Sequence, residues 1–211
     1  GCKGVAENIR VLRICAHRAT TGQGGESRLH RGTMSPMSTD DATSGWLRDA
    51  RTVESPNCDD WPAGCVPELI VVHGISLPPG EFGGPWIDQF FQNQLDALAH
   101  PFFAEISEQR VSAHFLIRRD GELVQYVPLT QRAWHAGVSS HQGRERCNDF
   151  ALGIELEGDD VTPYTDAQYD RLAHLIGQLC QAMPALHSAP VVGHSEIAPG
   201  RKTDPGPAFD W

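Results

Sequence analysis

The sequence predicts an α/β fold, a single domain whose central mixed β-sheet is flanked by helices. Three observations carry that expectation. Glu68-Leu-Ile-Val-Val-His73 is a compact apolar run of the kind found in a strand buried on both faces. Two apolar runs, Val111–Arg118 and Glu122–Val127, are joined by Asp120-Gly121, a strong short-range signal for a hairpin. From Thr165 onward a long segment repeats apolar residues at three- and four-residue steps, a helix with one face to bury against a sheet.

Taken in chain order, regular structure begins late. Gly1–Gly32 carries Lys3, Arg10, Arg13, Arg18, Arg28 and Arg31 against only Glu7 and Glu26, whereas the remainder is strongly acidic. The segment has no helical or strand period and reads as part of a disordered N-terminal extension over 1–36, with the folded domain over 45–211. A transit peptide or basic tether is the alternative, and the two glutamates weaken the first. The strand ending at His73 is followed by Gly74–Pro85, too rich in glycine and proline for regular structure, and by a short helix around Trp86–Leu95. A type I′ turn is expected at Asp120-Gly121, with positive φ at both residues. Phe150–Glu157 alternates as a strand, with Glu155 and Glu157 on one face and Ile154 and Leu156 on the other. Thr165 and Gln168 form a capping box. Tyr169, Leu172, Ile176, Leu179, Cys180 and Met183 make the apolar face, and Pro184 stops the helix. Pro190, Val191 and Val192 form a last short strand leading into His194, and Pro199–Pro207 reads as an irregular loop.

Two strands that each end in a histidine before a glycine- and proline-rich loop can lie side by side with both imidazoles at one edge. His73 and His194 fit that description, and Asp204 lies in the loop after His194 with Lys202 beside it. Imidazole and carboxylate together suit zinc, and a site with few protein ligands leaves a position open for water. His73, His194 and Asp204 are therefore the favoured zinc ligands. Their separation in sequence proves nothing by itself, and each histidine has an alternative as a buried, hydrogen-bonded core residue. A carboxylate facing the same cleft can act as a base once partial burial raises its pKa toward neutrality. The pattern leaves Glu155 and Glu157 both open, with a solvated strand face as the bland alternative. His114, between Ala113 and Phe115, reads as a satisfied core histidine, and Trp134-His135 as sheet-edge packing. Arg110 and Arg146 read as solvated, and His100, His141, His174 and His187 as surface residues.

Five stretches occur in one order: Val71–Gly84, Val111–Gly121, Arg132–Gly137, Gly153–Gly158 and Arg201–Pro207. Together they resemble the zinc N-acetylmuramoyl-L-alanine amidases of the AmpD type, which act on 1,6-anhydromuropeptides. The Leu77-Pro-Pro-Gly-Glu-Phe-Gly-Gly84 loop and Glu145-Arg-Cys-Asn-Asp149 are similar to the cytosolic branch in particular. The resemblance implies zinc on His73, His194 and Asp204, Glu155 as the base, and Lys202 as stabiliser of the transition state. It further implies a cleft wall at Trp134-His135, with Trp134 offering a flat face to a sugar, and arginines such as Arg110 and Arg146 holding the carboxylates of a peptide stem. Gly74 departs from the pattern, which implies a polar residue, often asparagine, after the first histidine. Two other readings stay open: an envelope amidase acting on polymeric peptidoglycan, and a binding module of the same fold that lacks catalysis.

Composition narrows these. A chain of 211 residues with ordinary hydrophobic content can bury a core in one domain. The net charge of -10 argues against nucleic acid and anionic membranes as partners. No apolar run reaches membrane-spanning length, and none follows the basic start as a secretion signal would. Six cysteines without a C-x-x-C pair signal neither a disulfide framework nor a thiolate zinc site. The expectation is a cytoplasmic, monomeric enzyme for small soluble muropeptides. Met34 or Met37 would begin a chain of the family's usual extent. A chain starting at either is expected to match the full sequence in melting temperature and specific activity, and a clear drop in either would mean that the first segment docks on the domain.

Overall fold

The structure, a computed structural model, describes residues 44–211, so the extension expected over 1–36 lies outside the described residues. In chain order the main elements are β1 (Arg51–Thr52), β2 (Cys58–Asp60), β3 (Leu69–Ile75), α1 (Trp86–Phe91), α2 (Pro101–Ile106), β4 (Phe115–Ile117), β5 (Leu123–Gln125) and β6 (Gln131–Ala133). They continue with β7 (Ser140–His141), β8 (Arg144–Glu145), β9 (Ala151–Glu157), α3 (Asp166–Ala182), β10 (Val191–Gly193) and α4 (His194–Ile197). Six strands make the main sheet in the order β1-β5-β4-β9-β3-β10. Only β4 and β5 pair antiparallel in it, so the sheet is mixed, as expected.

Strand alternation sorts the sheet into two faces. Ile70, Val72, Phe115, Ile117, Leu152, Ile154 and Leu156 pack with Leu172, Leu175, Ile176 and Leu179 of α3. On the other face Leu116 and Val124 pack with Phe90, Phe91, Phe103 and Ile106 of α1, α2 and their flanks. His73, Glu155 and Glu157 belong to this second face by the same alternation. Helix α3 starts at the expected capping box, Thr165 Oγ1 accepting from Gln168 N at 3.2 Å and Gln168 Oε1 from Thr165 N at 3.1 Å. The Gln168 amide also donates to the Ile117 and Glu157 carbonyls, at 3.2 and 2.9 Å, and ties the helix start to the ends of β4 and β9.

Four local expectations need correction. Strand β3 runs past His73 to Ile75, with Gly74 opposite Leu156 and Ile75 opposite Glu157. Glycine is accommodated there because a Cβ would stand 2.5 Å from the Tyr164 hydroxyl, which fills its space. The hairpin turn is not type I′, since only Gly121 has positive φ, at +87°, while Asp120 instead accepts from Glu122 N through its side chain at 2.9 Å. Helix α1 ends at Phe91 rather than near Leu95, and α2 follows unanticipated; His100, expected at the surface, caps it by accepting from Phe102 N at 3.1 Å, with Pro101 in the first turn. Finally, His194 opens the short helix α4 instead of closing a strand.

Glu157 also differs from a solvated strand residue: it is 2% exposed. One of its oxygens accepts from Gly83 N at 2.6 Å and from the Arg118 guanidinium at 3.2 Å, and the other from Arg119 N at 3.3 Å. Arg118 continues to Asp88 at 3.2 Å, and Tyr126 donates to the same Asp88 oxygen at 2.5 Å. This buried network fastens the loop that follows β3 to the sheet. Glu157→Ala is expected to destabilise the protein by about 1–3 kcal/mol in urea unfolding, because the Gly83 and Arg119 amides lose their buried acceptor and Arg118 is left with Asp88 as its nearest acidic partner. A change within about 0.5 kcal/mol, as at ordinary surface positions, would contradict the anchoring role.

Candidate active site

Strand β3 carries His73, and the parallel neighbour β10 delivers His194 one residue beyond its Gly193, which is paired with Val72. The loop bearing Asp204 is pulled in by two hydrogen bonds, Ser195 N to the Asp204 carbonyl at 3.0 Å and the Tyr164 hydroxyl to the Pro205 carbonyl at 2.9 Å. As a result His73 Nδ1, His194 Nδ1 and Asp204 Oδ2 converge, with separations of 2.9, 3.0 and 3.3 Å. A tetrahedral ion with bonds of about 2.0–2.1 Å to nitrogen and oxygen holds its ligand atoms roughly 3.3 Å apart, so this donor set fits zinc with little adjustment. Both histidines are buried, His73 at 1% exposure. Burial pushes the His73 pKa down to about 4, which leaves a neutral ring able to ligate. Burial pushes the Asp204 carboxyl up, but the adjoining His194 and His73 rings outweigh it and hold the group well below the usual carboxylate range.

Glu155 lies directly opposite His73 in the β3–β9 register. It is 8% exposed, and its Oε2 is buried without a hydrogen-bond partner among the described residues. Burial, reinforced by the Asp204 charge and opposed by Lys202, raises its pKa well above the ordinary value. Glu157, on the same face, is instead saturated by Gly83, Arg118 and Arg119. The two glutamates that pattern left equivalent therefore differ sharply. Lys202 is exposed on the Asp204 loop, near enough for its charge to act on both Glu155 and His73.

The remaining residues fall around this cluster in different ways. Trp134 is half-buried and donates from Nε1 to Asp59 at 3.1 Å. His135 turns inward, with Nδ1 2.9 Å from His73 Nε2 and Nε2 3.2 Å from the Ala151 carbonyl. Its ring occupies the space over Gly153, where a Cβ would come within 2.4 Å of His135 Cγ. Arg110 is exposed and donates to the Ser107 and Gln109 carbonyls at 3.1 and 3.4 Å. The Arg146 side chain, 74% exposed, pairs with Asp149 at 3.2 Å, and its backbone is left-handed with φ +61°. His114 is a satisfied core histidine, bonded to the Gln131 carbonyl and Gly153 N, each at 3.1 Å. Asn148 and Tyr164, which hold backbone segments around the cluster, carry no local sequence signal, since both act on residues far along the chain or across a turn.

A cluster of metal-ligand-type side chains, His73, His194 and Asp204, thus stands beside a buried carboxyl, Glu155, whose pKa is raised. The class that fold and site define is a hydrolase. The sequence pattern of the N-acetylmuramoyl-L-alanine amidase family matches residues 63–207. The chain is 64% identical over 167 residues to the 1,6-anhydro-N-acetylmuramyl-L-alanine amidase AmpD of Escherichia coli K12, covering 79% of this chain and 91% of that one. The AmpD of Haemophilus influenzae is 52% identical over 171 residues, covering 81% and 93%. The crystal structure of an AmpD selenomethionine derivative superposes with a TM-score of 0.77 at 62% identity, covering 80% of this chain and 93% of that one. The chain belongs to the N-acetylmuramoyl-L-alanine amidase family.

A buried carboxyl with raised pKa and no partner costs stability wherever it is ionised. Both folded and unfolded states are protonated below about pH 4.3, so the cost is absent there and grows as pH rises toward the folded-state pKa. Metal-free Glu155→Gln is expected to melt higher than metal-free wild type at neutral pH, by about 2–4 °C for each kcal/mol relieved, with the gain vanishing toward pH ~4. A lower melting temperature at neutral pH would show that the carboxylate is stabilised in the folded protein.

Proposed function

We propose that the protein is a zinc-dependent amidase. It cleaves the amide between (1,6-anhydro)-N-acetylmuramic acid and L-alanine in small soluble muropeptides, as a monomer in the cytoplasm, during recycling of cell-wall fragments. The observation that carries this reading is the convergence of His73 Nδ1, His194 Nδ1 and Asp204 Oδ2 beside the unpartnered Glu155 carboxyl. The AmpD relatives, named for the 1,6-anhydro-N-acetylmuramyl-L-alanine amide, support the substrate.

His73, His194 and Asp204 would hold the zinc, which when bound supplies Lewis acidity to the amide carbonyl and acidifies water. Glu155 takes the proton from the attacking water and delivers it to the departing alanine nitrogen. Its buried setting, which raises the carboxyl pKa, suits both halves of that transfer. Lys202 lies beside the cluster and stabilises negative charge as it develops on the carbonyl oxygen. Trp134 offers a flat face to the sugar at the cleft wall. Arg110 and Arg146, both exposed, supply cations for the carboxylates of the peptide stem.

Mass spectrometry of products from the zinc-loaded protein, given anhydro-N-acetylmuramyl tripeptide and intact sacculi in parallel, tests the substrate. Release of peptide from the small substrate is expected to be much faster. Comparable rates would point to an envelope amidase, and binding without product to a recognition module. Lys202→Ala is expected to lower kcat more than it raises KM, because its contact matures in the transition state. A purely KM effect would reassign Lys202 to substrate binding.

A further inference from the structure

Around the proposed metal ligands, one dipeptide meets the far side of both histidine rings. His73 Nε2 stands 2.9 Å from His135 Nδ1, and His194 Nε2 stands 3.3 Å from the carbonyl oxygen of Ala136, the next residue. His135 Nε2 in turn reaches the Ala151 carbonyl at 3.2 Å. A carbonyl can only accept, so His135 carries its proton on Nε2 and presents Nδ1 as an acceptor to His73 Nε2–H. The same logic places the proton of His194 on Nε2, facing Ala136. Both ligand histidines are thereby fixed in the tautomer whose bare Nδ1 points at Asp204. The dipeptide is itself held: Asn148 Oδ1 accepts from His135 N at 3.1 Å and from Ala136 N at 2.8 Å, and Arg201 donates to the Ala136 carbonyl at 2.8 Å. The His135 ring has room only because residue 153 is glycine.

We propose that His135 and Asn148 are positioning residues of the metal centre: the Asn148 amide oxygen clamps the His135–Ala136 backbone, and that dipeptide sets the tautomer and aim of His73 and His194. This rests on the zinc reading above. With both ring nitrogens committed inside the protein, His135 serves the ligand set rather than the sugar. Partners of this kind pre-organise metal ligands, and their loss typically lowers metal affinity or activity by about 10–100-fold.

The test is zinc affinity by chelator competition at neutral pH, measured beside the melting temperature of each metal-free protein. His135→Ala is expected to bind zinc about 10–100-fold more weakly than wild type. His135→Asn, whose amide oxygen replaces the Nδ1 acceptor, recovers most of that loss. Asn148→Leu weakens binding comparably, while Asn148→Asp, which keeps the acceptor, stays close to wild type. Nitrogen-15 spectra of the zinc-loaded wild type are expected to show His73 and His194 protonated at Nε2 alone. Zinc affinity of His135→Ala within twofold of wild type would overturn the inference. So would losses that the Asn and Asp variants fail to recover and that follow the melting temperatures of the metal-free proteins, since that is what mere packing would give. Should His135→Ala not fold, the Asn148 pair and His135→Asn decide the matter by the same criteria. Wild-type protein that takes up no zinc would overturn the metal reading itself, an outcome distinct from tight wild-type binding with an indifferent His135→Ala.

Discussion

Strands β3 and β9 lie parallel with His73 opposite Glu155, and the chemistry proposed for the site depends on that register. A slip of one residue would set an apolar neighbour, Ile154 or Leu156, beside His73 and turn both glutamates into the core under α3. Seven consecutive pairs from Leu69–Ala151 to Ile75–Glu157 fix the alignment. The burial of Ile70, Val72, Leu152, Ile154 and Leu156 against α3 makes any other alignment costly. Polar groups that the sheet would otherwise exclude are thus carried into a buried position by the hydrophobic residues between them.

The same face then contains two contrasting treatments of a buried carboxylate. Glu157 is surrounded by donors and serves as a structural anchor for the loop after β3. Glu155, two residues earlier, has an oxygen with no partner and neighbours that leave its charge poorly compensated. Unpartnered burial is unfavourable for folding and useful for proton transfer, so the contrast separates structure from proposed chemistry. Close packing around the cluster requires missing side chains: His135 fits over Gly153, and the Tyr164 hydroxyl takes the place of a Cβ at Gly74. Gly74, where the family resemblance implied a polar residue, thus lets Tyr164 approach and hold the carbonyl of Pro205, next to Asp204.

Much of this was legible from sequence because it follows from periodicity. The buried run before His73, the alternation at Glu155 and Glu157, and the capping box at Thr165 each report a local rule. Such rules do not reach across the chain. Nothing in the alternation of β9 distinguishes Glu155 from Glu157, because the donors that saturate Glu157 come from Gly83, Arg118 and Arg119. His100 carries no cap signal in the sequence because histidine is not among the usual capping residues, although Pro101 marks the helix start. The roles of Asn148 and Tyr164 depend on backbone groups brought near only by the finished fold. The sequence points to His73, His194 and Asp204 as a candidate set, and the distances between their side-chain atoms required the structure.

Zinc content and single-turnover rate, measured together on Glu155→Gln with a small muropeptide, bear most directly on the link between register and chemistry. About one zinc per chain is expected, as in wild type, because the substitution leaves His73, His194 and Asp204 in place. The chemical step is expected to slow by roughly 10²–10⁴-fold, the usual contribution of a general base. Zinc lost together with activity, or turnover close to wild type with zinc retained, would contradict the assignment of the base to Glu155.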